Sequence, residues 1–216
     1  VFAWLVIGSR QLGLAILMHD GAHGVLTNDK TLNNWVSQWL CAYPMFAETF
    51  AYRDYHLTHH RRTQQADDPD LSLSAPFPIT RASFRRKLIR DITGQTAFQQ
   101  RRSQIKAALG DPSWDWKRRA QNFGRKLGRP LVANAVLFYL LASTGHWYLY
   151  PALWLFPFMT WFQVVVRVRN IAEHAIVPDN DDPLRNTRTT YANPLARLLL
   201  APYWVNFHLE HHLFMF

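Results

Sequence analysis

The sequence predicts an all-α protein, a helical bundle integral to a membrane, and three observations predict it. Of the 216 residues 49% are apolar, and they gather into long runs instead of spreading evenly as in most water-soluble domains. Nine of the ten histidines fall into local groups, most of them spaced by three or four residues, the repeat of one helical turn. Between Arg81 and Arg129 stand 14 Lys/Arg against three Asp, a surplus of 11 that exceeds the net +9 of the whole chain.

Taken in order, Val1 to Met18 is apolar apart from Ser9, Arg10 and Gln11 and reads as a transmembrane helix. A signal peptide fits poorly, because no small-residue cleavage site follows and the segment runs straight into His19 and Asp20. Leu32 to Tyr52 is aromatic but broken by Asn33, Asn34, Gln38, Pro44 and Glu48. One crossing needs about 20 apolar residues, so this stretch is expected to lie along or dip into the interface. The basic segment follows. Beside membrane spans it marks the cytoplasmic side and favours anionic headgroups; nucleic acid is not expected as a partner, since it would not explain the apolar flanks.

Leu131 to Val166 contains no charged side chain over 36 residues. Thr144-Gly145-His146-Trp147 and Pro151 interrupt it, so two short crossings joined by a tight turn are expected, with Trp147, Tyr148 and Tyr150 at the interface. A single helix of that length would need extreme tilt. Leu195 to Phe207, with Pro194 and Pro202, is too short to span and is expected to pack on the bundle. The chain starts inside an apolar run and stops four residues after a histidine group, so residues 1–216 read as one domain cut at both ends.

The histidine groups carry the chemistry. They are His19-Asp20-Gly21-Ala22-His23, His56-Leu57-Thr58-His59-His60, Asn170-Ile171-Ala172-Glu173-His174 and His208-Leu209-Glu210-His211-His212. Spacings of three and four place side chains on one helix face, able to aim at a common centre. Imidazole suits iron, zinc, copper or nickel, and four to six ligands saturate one ion, so these histidines suffice for two. Burying so many imidazoles beside hydrocarbon is costly unless each lone pair finds a partner. The single Cys41 excludes an intrachain disulfide, a thiolate zinc site and an iron–sulfur cluster, and is expected to be a small buried hydrophobe. The segments between the four groups can each cross the membrane an even number of times, so all four can share one side.

HDGAH, HLTHH and HLEHH resemble the three histidine boxes of the membrane fatty acid desaturase superfamily, over nearly the whole chain. Asp67-Asp68-Pro69-Asp70 after the second box and Asn206-Phe207 before the third match as well. The resemblance implies a small membrane bundle with a cytosolic helical cap holding a di-metal site, here di-iron. It implies as ligands His19, His23, His56, His59, His60, His174, His208, His211 and His212, with Asn170 acting through water. It further implies dioxygen as co-substrate, a fatty acyl or related lipid substrate, and two electrons from a separate donor of ferredoxin, rubredoxin or cytochrome b5 type. The protein is then expected to be multi-pass, with its boxes on the cytoplasmic face. Asp20, Glu173 and Glu210 are candidates to orient metal-bound imidazoles, ahead of Asp67 and Asp68. Trp35, Trp39, Tyr43, Trp154, Trp161, Phe162, Tyr203 and Trp204 are bundle packing or an interfacial belt before they are an acyl channel. Hydrogen abstraction from an unactivated C–H bond lies beyond ordinary side chains. Loss of a second hydrogen gives a double bond, and oxygen rebound gives the rival outcome, a lipid or carotenoid hydroxylase or ketolase. A histidine-bearing transporter would place ionisable groups mid-membrane, and a membrane zinc hydrolase would need fewer nitrogens and an open position.

Overall fold

α1 (Phe2–His23) is the apolar rod around which the rest is arranged. The computed structural model describes residues 1–214, and among them every regular element is helical. α1 ends where Gly24 adopts a left-handed conformation (φ 80°), a backbone state that glycine enters without a Cβ penalty. Its orphaned last carbonyls are taken by side chains from the next segment. Asn33 Nδ2 donates to the Gly21 carbonyl at 2.9 Å, and Arg53 donates to Ala22 at 2.7 Å and Gly21 at 3.0 Å.

The interfacial stretch does not form one helix. α2 (Lys30–Val36) starts on the Asp29 side chain, loosens into a π-helical turn at Ser37–Ala42 and a 3-10 turn at Tyr43–Met45, and then stops. Cys41 is buried there against Met18 and Ala42, and burial pushes its thiol up to about 11. α3 (Thr49–Arg62) begins on Glu48, whose carboxylate accepts from the Ala51 N–H at 2.6 Å. A short α4 (Leu71–Ser74) leads to the basic segment, which folds as α5 (Arg81–Ile92), α6 (Gln95–Leu109) and the first turns of α7 (Trp116–Ser143). The segment is anchored by a buried ion pair. Arg167 donates to both carboxylate oxygens of Asp91, at 2.8 Å through Nη2, while Thr96 Oγ1 donates to the same group at 2.6 Å.

The turn of the long apolar stretch falls at Thr144–Trp147, as expected, but its arms are not two matched rods. In α7 the long charge-free run is Pro130 to Ser143, and 14 residues rise about 21 Å, short of the roughly 30 Å of hydrocarbon. The other arm runs through a π-helical turn (Tyr150–Leu155), α8 (Phe156–Met159) and α9 (Trp161–His174), bending at Thr160 (φ −125°, ψ −84°). Among the described residues, Phe2–His23 and Tyr150–His174 are the two stretches long and apolar enough to cross a membrane. Their contact face is the core: Leu12 and Ile16 of α1 against Val165, with Trp161, Phe162 and Val166 around them. α10 (Pro194–Leu199), a 3-10 turn at Pro202–Trp204 and α11 (His208–Leu213) close the chain against α1.

Candidate metal centre

Three helix ends and one short helix converge at the same end of the bundle. α1 brings His19 and His23 in its last turn, α3 brings His56, His59 and His60, α9 ends on His174, and α11 consists almost wholly of the last box. The approach of α1 to the Ser37 turn is so close that a Cβ on Gly21 would overlap the Ser37 side chain, which explains the glycine inside the first box.

The imidazoles form two abutting groups. In the first, His19, His23, His56, His60 and His211 each place a ring nitrogen within 4.8 Å of the others. Nε2 of His211 lies 2.8 Å from that of His19 and 3.0 Å from that of His60, which is 2.9 Å from His56 Nε2. In the second, His59, His174 and His212 converge, and His208 joins through His174 at 2.8 Å and His212 at 3.1 Å. The stacked rings of His60 and His212, 4.2 Å apart, are the seam between the groups.

This donor set fits metal ions. For metal–imidazole bonds of about 2.1 Å, two nitrogens at right angles lie about 3.0 Å apart, which matches the spacings above. Protons alone satisfy the network poorly, because a neutral imidazole carries one N–H. His19 and His59 face Asp20 at 3.0 Å and Asp68 at 2.8 Å through Nδ1, and spending the N–H there leaves Nε2 as a lone pair. Burial first, and neighbouring rings second, hold His60 and His211 down at about 2 and lower His56, His208 and His212 as well. These rings are therefore neutral at ordinary pH, with lone pairs available.

The family model described as fatty acid desaturase matches residues 1–215. The chain belongs to the fatty acid desaturase family. It is 28% identical to dihydrorhizobitoxine desaturase of Bradyrhizobium elkanii over 98% of its own length and 62% of that protein. It is also 36% identical to the sn-1 acyl-lipid omega-3 desaturase (ferredoxin) of Synechocystis sp., over 30% of this chain and 18% of the relative. The chain thus spans about three-fifths of the longer-matching relative.

The acids of this desaturase-family chain divide in a way the box sequences do not reveal. Asp20 contacts His19, as its position beside the box allows. Glu173 pairs with Arg169 at 2.7 Å and approaches His208 Nε2 at 3.7 Å. Glu210 turns away: it is exposed, and its carboxylate accepts from the Thr189 hydroxyl. Asp67 pairs with Arg62 on the surface. Asp68, ranked below the others on sequence, is buried and holds His59 Nδ1 while accepting from the backbone of Gln64 and Asp70. Arg169 pairs with Glu173, the alternative that the sequence offers for an acid beside a box. One neighbour escaped the sequence: Tyr52 stacks on His56 at 5.1 Å, and their i,i+4 spacing was the available signal.

A cavity of about 220 Å³ lies against one side of the two groups. His19, His56, His59, His174 and His208 line it, together with Asn170, whose side-chain oxygen is buried without a hydrogen-bond partner. Of the aromatics named above, Phe162 lines this cavity; Tyr43 is buried packing, and Trp35 and Trp204 are exposed. His146, outside the four groups, is exposed at the hairpin turn.

Proposed function

We propose that this chain is the catalytic core of an integral-membrane enzyme that uses dioxygen to desaturate a fatty acyl chain or related lipid at two histidine-held irons. The observation that carries the reading is the abutment of two imidazole groups with a cavity against their shared face. His19, His23, His56, His60 and His211 would hold one ion. His59, His174, His208 and His212 would hold the other, with Asn170 reaching it through water.

When bound, such a pair supplies dioxygen activation strong enough to break an unactivated C–H bond. Removing two hydrogens consumes one dioxygen, two electrons and two protons, and yields a carbon–carbon double bond and two waters. The chain's own part is positional. Asp20 and Asp68 fix ring orientation through Nδ1, and metal-bound imidazoles depend on such partners. Leu12, Ala15, Phe162 and Val166 give the cavity an apolar side, along which an aliphatic segment can lie beside the ligands. The electrons come from a separate protein. The name of the Synechocystis relative specifies ferredoxin, and a rubredoxin or cytochrome b5 would serve equally. The two apolar stretches and the basic segment support a multi-pass arrangement with the histidine end on the cytoplasmic face.

Metal analysis and lipid profiling of a host expressing the full-length protein test this reading, beside His59→Ala. About two irons per chain and a product lighter by two hydrogens, absent from the variant, are expected. Protein that stays iron-free after reconstitution overturns it, and a product that gains oxygen replaces desaturation with hydroxylation.

A further inference from the structure

We propose that the loop of residues 63–68, directly after the second box, is a positioning element for one ion of the pair. In it Thr63 and Gln64 join Asp68 in holding His59, His174 and His212 of the second imidazole group. The inference rests on the metal-centre reading above and gives that site two residues that are not ligands.

His59, His174 and His212 come from three different helices, so no contact within one helix sets their mutual spacing. The loop reaches each of them. Asp68 Oδ1 accepts from His59 Nδ1 at 2.8 Å, and Oδ2 accepts from the Gln64 backbone N–H at 2.8 Å. Gln64 itself is left-handed (φ 65°), a conformation that costs a residue carrying a Cβ. From there its Nε2 donates to the His174 carbonyl at 2.7 Å, one of the carbonyls left open at the end of α9.

Thr63 settles a proton. Its hydroxyl has a single hydrogen, and the His59 carbonyl at 2.8 Å takes it ahead of the His60 carbonyl at 3.3 Å. The oxygen therefore meets His212 Nδ1, 3.2 Å away, as an acceptor. His212 then carries its N–H on Nδ1 and keeps Nε2 as a lone pair, the tautomer that Asp68 imposes on His59. Thr63 and Gln64 are buried, so water does not make good a lost contact. Both ring contacts, like the His174 carbonyl, belong to the second group, so the hold is on one ion.

The test titrates the whole chain, metal-free in phosphatidylcholine nanodiscs, with ferrous iron in the absence of oxygen. The unaltered protein should take about two ions. Thr63→Val, close in shape but without the hydroxyl, should weaken the second-group ion about 10–100-fold and leave the other unchanged. Thr63→Ser, which returns the hydroxyl, should return the affinity. Gln64→Met keeps the side-chain length without its donor and should weaken the same ion by a smaller factor. A Mössbauer spectrum identifies the weakened ion as the one missing from His59→Ala. No weakening, equal weakening of both ions, or Thr63→Ser as weak as Thr63→Val overturns the proposal. So does a proton on His212 Nε2 in the imidazole nitrogen NMR spectrum of the unaltered, metal-free chain, a measurement that needs no variant. Unaltered protein that binds no iron ends the metal reading and this one together. Two-ion binding without a desaturated lipid product ends the desaturase reading alone and leaves the loop's role standing.

Discussion

The second and third boxes have the same spacing, yet they serve the two imidazole groups in opposite proportion. In α3, His56 and His60 turn to the first group and His59 to the second; in α11, His208 and His212 turn to the second and His211 to the first. The cause is helical rotation. Residues four apart lie about 40° from each other around the axis, while the residue three on from the first lies about 60° to its other side. One H-x2-H-H motif thus reaches two centres, and two of them facing each other supply three rings to each. α1 completes the first group with His19 and His23, and α9 completes the second with His174.

The largest expected effect breaks this exchange outright. His59→Ala should cut iron from about two to about one per chain, emptying the second group, while His211→Ala empties the first; metal analysis with a spectroscopic readout of the remaining ion distinguishes them. Loss of the same ion from both variants would refute the split. Next is Gly21→Ala, which forces α1 from the Ser37 turn and should cost about 1–3 kcal/mol, read as a lowered thermal midpoint with weaker metal at the first group. Asp68→Asn leaves His59 in place but loosens its orientation, so metal affinity at the second group should fall about 10–100-fold. Asp20→Asn should do less at the first, because the Asp20 side chain is 35% exposed whereas Asp68 is 2%. Smallest is Glu210→Gln, which should leave iron content unchanged, since that carboxylate engages Thr189.

What the sequence makes legible follows the same logic. The clustering of His19, His23 and the two H-x2-H-H motifs is local, and helix periodicity makes local spacing legible. Which ring joins which group depends on how α3 and α11 face each other, and no spacing within either helix encodes that. Asp68 was undervalued because a loop of irregular backbone carries it back to His59, nine residues upstream. Glu210 was overvalued for the opposite reason: adjacency to a box does not fix the direction of a side chain. The hairpin turn at Thr144–Trp147 was legible from the glycine and the interruption of hydropathy. The bend at Thr160 was not, since nothing in an unbroken apolar run announces a change of axis.

Asp91 lies in the polar insertion and Arg167 lies two turns before His174, and their pairing joins regions that composition alone would set apart. The carboxylate is fully enclosed, at 0% exposure. Removing the Arg167 guanidinium would strand it uncompensated, a penalty of about 3–5 kcal/mol when one partner of such a pair is removed. The basic segment is therefore no loose appendage: it is tied to α9 two turns before His174.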